Sequence, residues 1–370
     1  MFGSLLAMLF LTVFNPVDAI LDNSHQDGFD PTLAIGIHVG VASVIIEGDA
    51  TVESEAGKVV SSIQGNYRYT VKNGKIKQKN RVLPLKTAIL QPKLGIIQVN
   101  GHVFRGAIKL VVQRGKLTVI NILPIEEYVR GVINREALPH WPLEAKKTQA
   151  ILARTFAVYQ KINHPRSKLY DLAPSVLDQV YGGLEREDVS SNRAVDQTKG
   201  LVIIKNNMPA KIYFHSTCGG RTASAKEVWG KEVSYLHSVK CPYCKNSSLY
   251  RWKRSYNRSV IAKRLKKAGY NVGKIRKISV QRGVHRVKFV VVNRKKIPVN
   301  KFRAAVGYTA IWSNDFSVSL RRGKISFSGK GAGHGVGVCQ YGMAGMAKKG
   351  KNYKQILEYY LKGIELRRLY

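Results

Sequence analysis

Cysteine is scarce in this chain of 370 residues: only Cys218, Cys241, Cys244 and Cys339 occur, too few for a disulfide-stapled fold of this size. Acidic side chains are scarce as well, 23 Asp and Glu against 61 Lys and Arg, which leaves a formal net charge of +38. Long apolar runs are missing. The run near the start, Leu5 to Phe14, is about half of the roughly 20 residues that a membrane-spanning helix needs, and no later segment is both long and uncharged. Internal repeats and low-complexity linkers are absent too. Together these absences exclude a small disulfide scaffold, a polytopic helical membrane protein and a repeat solenoid.

What is present is a chain with 44% hydrophobic residues, enough to bury a substantial core. The excess of positive charge implies a polyanionic partner, which nucleic acid, an anionic membrane surface or an acidic cell-wall polymer would each satisfy. The basic residues are dispersed, as in Arg251 to Arg258, Lys263 to Lys267 and Lys348 to Lys351, and read as solvated faces. Leu5 to Phe14 followed by Val17-Asp18-Ala19 resembles a leader with a small-x-small cleavage site. Residues 1–19 are therefore expected to be a signal peptide, and the protein to be exported to the periplasm or cell envelope with only peripheral membrane contact. The lack of Lys or Arg before Leu5 departs from that pattern.

From Leu33 to Val119 short β-branched runs alternate with turn residues, notably Asn73-Gly74, Asn100-Gly101 and Arg114-Gly115, and read as strands. From Pro124 the period changes: Ile125, Tyr128, Val129 and Val132 fall at helical spacing behind Glu126 and Glu127, which suit a first turn. Pro139 and Pro142 stop that helix near Glu136. A longer helix then runs from Pro142 to about Ile162, with Ala145, Thr148, Leu152, Phe156 and Tyr159 as its buried stripe. The fold expected is α+β, a strand-rich N-terminal region (20–116) followed by a mixed α/β catalytic region with a substrate cleft (117–370).

Glu136 is the candidate acid. A carboxylate at a helix C-terminus faces the negative end of the dipole, which disfavours its charged form, and glycoside cleavage needs an acid still protonated near neutral pH. The alternative is an ion pair with Arg135 or Lys146. His215-x-x-Cys218 followed by Cys241-x-x-Cys244 has the spacing of a tetrahedral, closed and therefore structural zinc site. A disulfide among these cysteines is the competing reading, and His237 is a spare imidazole. Cys339 stands isolated. The stretch Gly329 to Gly337 around His334 fits neither phosphate-loop template, so its glycines are expected to permit close backbone approach, with His334 and Gln340 able to hydrogen-bond a sugar.

Several motifs in order resemble the stage II sporulation protein D (SpoIID) family, which includes amidase-enhancer-like wall proteins. They are Ile-Leu-Pro-Ile-Glu-Glu-Tyr-Val-Arg-Gly-Val at 122–132, Glu136, the run Ala145 to Ala157, and Asp178-Gln179-Val180-Tyr181-Gly182. Phe214 to Gly220, Gly333 to Gly337 and Gln340-Tyr341-Gly342 complete the set. The resemblance implies a lytic transglycosylase acting on peptidoglycan glycan strands, especially ones stripped of stem peptides, with Glu136 as general acid and base. It also implies that Arg154, Gln179, Tyr181, His215, Ser216, His334, Gln340 and Tyr341 lie along the substrate groove, that Asp178 is a candidate hydrolytic partner, and that Cys241 and Cys244 support zinc nearby. Ala137-Leu138-Pro139 and Cys339 depart from the family pattern, where a methionine often precedes the proline and serine is usual at the latter position. Two other classes compete: a non-catalytic wall-binding protein that recruits or stimulates a cell-wall amidase, and a nucleic-acid-binding zinc protein. The absence of a recognition-helix motif counts against specific nucleic-acid binding.

Overall fold

A computed structural model describes residues 32–163, 167–173, 181–185 and 187–370. The expected leader at 1–19 and the motif residues Asp178 and Gln179 lie outside them. The described chain is mixed α+β, with many strands in sheets and eight helices.

Ten antiparallel strands between Thr32 and Pro124 make one sheet. Three of its hairpins close on the dipeptides Asn73-Gly74, Asn100-Gly101 and Arg114-Gly115, where both residues have positive φ (51° and 70°, 48° and 87°, 48° and 72°). That is the type I′ geometry, whose twist matches the flanking strands. The strand Lys116–Pro124 lies inside this sheet, paired on one side with Thr32–Val41 and on the other with Ala107–Gln113. The sheet thus runs past residue 116, and the chain passes from it directly into the first helix.

The helices in chain order are α1 (Ile125–Glu136), α2 (Leu143–Asn163), α3 (Val189–Asp196), α4 (Ala225–Trp229), α5 (Arg258–Lys267), α6 (Val299–Val306), α7 (Gln340–Lys348) and α8 (Tyr353–Tyr360). One hydrophobic core runs from the sheet (Leu33, Ile46, Tyr69, Leu110) through α1 and α2 (Val129, Ile151) to Val338, Met343 and Leu357. A second core is built by residues 251–330 around Trp252, Phe302, Phe316 and Phe327. This inserted unit consists of α5, α6 and two three-stranded antiparallel sheets.

Helix α2 is buried more widely than a single stripe. Lys146, Gln149, Ile151 and Arg154 are buried along with Ala145, Thr148 and Leu152, because α1, α3, α7, α8 and the strand Leu201–Lys205 surround it. A polar side chain in such a place needs a partner. Arg154, fully buried, finds Glu126 through two hydrogen bonds, Nε to Oε1 at 2.8 Å and Nη2 to Oε2 at 2.6 Å, and gives Nη1 to the Leu201 carbonyl. Glu126 also accepts from the Gly200 N–H and the Tyr370 hydroxyl. Burial pushes the Glu126 carboxyl up, but the Arg154 charge and these hydrogen bonds outweigh it and hold the group below the usual carboxylate range. The expectation that Arg154 lines a groove is therefore corrected: a guanidinium sealed into the core and used by its own chain has no solvent-facing edge to offer a ligand.

Replacing Arg154 by Met would leave Glu126 buried without its counter-charge. We expect a loss of about 3–5 kcal/mol, read from urea unfolding. A loss within experimental error would show that the pair is not the centre of this packing.

Candidate functional site

Helix α1 ends where the prolines require. Ala137 turns to extended backbone (φ −116°, ψ 140°) while its N–H still donates to the Ile133 carbonyl, and Glu136 is left half-buried at the C-terminus. The turn that follows is pinned by the start of α7. Trp141 meets the Tyr341 ring edge-on with centroids 5.4 Å apart. The Gln340 amide nitrogen lies 3.0 Å from the Glu136 main-chain oxygen, 3.2 Å from its carboxylate Oε2 and 3.3 Å from Gln149 Oε1. Gln340 is buried, so its two amide hydrogens are committed to these three acceptors. Gln149, fully buried on α2, keeps its own Nε2 without a hydrogen-bond partner among the described residues. Gln149 lies inside the family motif from Ala145 to Ala157, but nothing in its spacing marks it as the partner of Gln340.

Immediately before Gln340 the chain enters a knot of sulfur. Cys218, Cys241, Cys244 and Cys339 are all buried and unbridged, and their Sγ atoms lie within 4.8 Å of one another. Cys218 and Cys244 approach to 3.5 Å, and the Cys218 N–H donates to Cys339 Sγ at 3.2 Å. Four sulfurs about 2.3 Å from a central zinc would stand about 3.8 Å from each other, so the cluster has the size and donor set for a tetrahedral metal. The thiols titrate together: hydrogen bonding within the cluster pulls Cys244 and Cys241 down, while it pushes Cys218 up and burial pushes Cys339 up.

This corrects the expected ligand set at one place. His215 is not in the cluster; Cys339 is. The short parallel ladder of Phe214–His215 with Val338–Cys339 brings the two segments together, but the imidazole turns away, its Nδ1 3.0 Å from the Val336 carbonyl. That carbonyl fixes Nδ1–H as the donor, and Nε2 is left buried without a partner among the described residues. His237 is exposed and outside the cluster.

The glycine-rich stretch behaves as expected of close backbone approach. Gly337 has φ +72° and a Cβ there would overlap the Tyr213 carbonyl. His334 accepts from the Val336 N–H through Nδ1 at 3.1 Å. Its ring lies 5.3 Å from Trp229 and 5.7 Å from His215, and Tyr213 stacks on Trp229 at 4.5 Å. Trp229 itself is 41% exposed, so an aromatic face is offered to solvent beside two imidazoles. Burial holds His215 down to about 3 and His334 down to about 4, so both are neutral at pH 7.

Ser216 is half-buried, and its carbonyl accepts from the Tyr341 N–H at 3.0 Å. Tyr181 is half-buried against α1. Its hydroxyl donates to Asn121 Oδ1 at 2.8 Å, and its ring covers Gly131, where a Cβ would come within 2.6 Å of it. The need for flat contact between that ring and α1 explains both the glycine and the tyrosine.

A pH dependence follows from His334. Its folded pKa of about 4 lies below the ordinary 6.5, so as pH falls through that interval the unfolded chain takes up a proton that the folded imidazole refuses, and stability is lost. His334→Gln should lose less stability than the parent between pH 6.5 and 4 in urea titrations; identical pH profiles would argue against a buried neutral imidazole.

A family model described as SpoIID, stage II sporulation protein, matches residues 113–204. The chain is 31% identical over 313 residues to an uncharacterized protein of Brachyspira hyodysenteriae, covering 84% of each. It is 31% identical over 260 residues to stage II sporulation protein D of Bacillus subtilis, covering 66% of this chain and 74% of the other. The amidase enhancer of Bacillus subtilis is 27% identical over 290 residues, 64% of this chain and 40% of that protein. The chain belongs to the SpoIID family.

Proposed function

We propose that this protein is an exported lytic transglycosylase that cuts the MurNAc–GlcNAc bond of peptidoglycan glycan strands, preferring strands stripped of stem peptides, with Glu136 as the catalytic acid and base. The observation that carries the reading is the clamp on Glu136: a half-buried carboxylate at a helix C-terminus, oriented by the neutral amide of Gln340. A lytic reaction needs a single acid, whereas hydrolysis in the usual families needs two.

In this mechanism protonated Glu136 gives its proton to the glycosidic oxygen as the C1–O bond breaks. The resulting carboxylate then takes the proton of the C6 hydroxyl of the same MurNAc, whose oxygen bonds to C1 and closes the 1,6-anhydro ring. No water is consumed and the acid is restored. Gln340 holds the carboxylate through both protonation states, and Gln149 holds Gln340. Trp229 would present an apolar face to a sugar beside the neutral His334 ring. Ser216 and Tyr341 flank the same junction.

The four-sulfur site would hold zinc with no open position, so its contribution is structural: it fixes the segment that carries Gln340. A second reading rests on the similarity to the amidase enhancer, in which the same surface binds glycan and stimulates a partner amidase without cutting. Both place the protein in the cell envelope. Among the described residues no helix is long and apolar enough to cross a membrane.

Mass spectrometry of stripped and stem-bearing glycan strands after incubation tests the proposal. The parent should yield anhydro-muramyl ends, Glu136→Gln should lose about 10²–10⁴-fold in rate, and Gln340→Ala about ten- to a hundredfold, the value of a hydrogen bond to a charged group. Reducing ends would mean hydrolysis, and intact strands under every condition would leave the non-cutting reading. For the metal, the purified chain should carry one zinc. Cys339→Ser should lose it and melt earlier, whereas His215→Ala should keep it; full zinc in Cys339→Ser would refute the four-sulfur assignment.

A further inference from the structure

The charge of this protein is not evenly spread. Residues 251–330, the inserted unit with its own core, contain 23 Lys and Arg and a single acidic residue, Asp315, so they carry +22 of the net +38. Asp315 is itself spent on Arg282 at 2.5 Å and Arg286 at 3.4 Å. Nothing acidic within the unit remains to neutralise its outer surface.

That surface is ordered. In the sheet made by Arg251–Asn257, Lys324–Lys330 and Phe316–Arg321, the inward side chains Trp252, Ile325, Phe327 and Phe316 build the core. The outward positions form four rows across the strands: Arg251 with Lys330; Lys253, Ser328 and Ser317; Ser255, Ser326 and Ser319; Asn257, Lys324 and Arg321. All of these are exposed. Cations therefore stand at both ends of the face, about 20 Å apart at strand rise, with a ladder of serine hydroxyls between them. The face is concave. One hollow of about 560 Å³ is lined by Arg251, Lys253, Ser317, Ser328 and Lys330, with the Arg282–Asp315 ion pair, Trp252 and Phe316 also on its wall, and a second of about 500 Å³ adjoins it through Lys253, Ser317 and Ser328 and continues over the serines.

The pattern selects a ligand. Trp252, Phe316 and Phe327 border the trough but are buried in the core, 5%, 2% and 1% exposed, so they offer no open platform for stacking bases and no apolar face to a bilayer. Charges separated by hydroxyl-rich ground match a polymer in which anionic units alternate with neutral hydroxylated ones, rather than one charged at every residue. We propose that this trough is a second docking site, apart from Glu136, for a glycan strand whose muramyl carboxylates are free because the stem peptides have been removed. This rests on the proposed action on peptidoglycan and adds to it a grip outside the reacting site. Lys253, Lys330, Lys324 and Arg321 pair with successive carboxylates, and the serines exchange hydrogen bonds with the sugar hydroxyls between them.

The test compares the full chain with a variant carrying Lys253→Gln, Arg321→Gln, Lys324→Gln and Lys330→Gln, and with the single substitution Ser319→Glu, which sets an anion in the middle of the ladder. Binding to labelled stripped glycan strands is measured by anisotropy at fixed salt. Carboxyl-reduced strands, poly(glycerol phosphate) and duplex DNA serve as further probes. The fourfold variant should bind stripped strands about tenfold more weakly, as expected for the loss of several exposed ion pairs, and Ser319→Glu should also bind them more weakly than the parent, by charge repulsion. Reducing the carboxyl groups should weaken the parent to a similar extent and abolish the difference between parent and the fourfold variant. Cutting of an oligosaccharide too short to reach the trough should be unchanged in both variants. Equal binding by parent and variants, undiminished binding of the reduced strand, or tighter binding of the phosphodiester polymer or DNA through the same residues would overturn the proposal. Binding is read whether or not strands are cut, so a parent that holds strands through the trough and cuts none would refute the transglycosylase and leave the trough standing.

Discussion

The constraint on which the site depends is the meeting of two loops with one strand end in the sulfur cluster. Cys218 follows the Phe214–His215 strand, Cys241 and Cys244 come from a separate loop, and Cys339 closes the Val338–Cys339 strand. Gln340 is the next residue, and its amide reaches across to Glu136. Whatever fixes Cys339 therefore fixes, one peptide later, the donor that orients the acid. A cluster of soft ligands suits this purpose, since tetrahedral coordination specifies position more narrowly than apolar contact does.

Behind that junction stands α2, which carries Gln149 towards the site and Arg154 towards the Glu126 pair. A helix surrounded on every side cannot shift without disturbing the packing of its neighbours. The carboxylate that α1 presents at one end and the ion pair it contributes at the other are thus referred to the same rigid element.

Much of this could be read in the chain beforehand, and the misses have physical causes. The type I′ dipeptides, the change of period at Pro124 and the prolines beyond Glu136 are local signals, and local geometry follows them. Cys339 was read as isolated because its partners are distant in sequence, and spacing reveals only ligands that share a loop. Its signal was nonetheless present, as the fourth cysteine of a chain with just four. Arg154 falls in a family motif yet is sealed in the core, because motif membership does not distinguish residues that hold a site from residues that touch a ligand. The separate core of residues 251–330 left its mark only in composition, as one acidic residue among 23 basic ones.

The ladders of this fold join positions far apart along the chain: Leu201 with Arg368, Phe214 with Val338, Glu136 with Gln340 across 204 residues. Closing such long loops is entropically slow, and contacts of this range form late. The Glu136–Gln340 junction is therefore incomplete until residue 340 has been made and the chain has closed over it. On the proposed wall-cutting function, that order would withhold the chemistry from a nascent chain by topology alone.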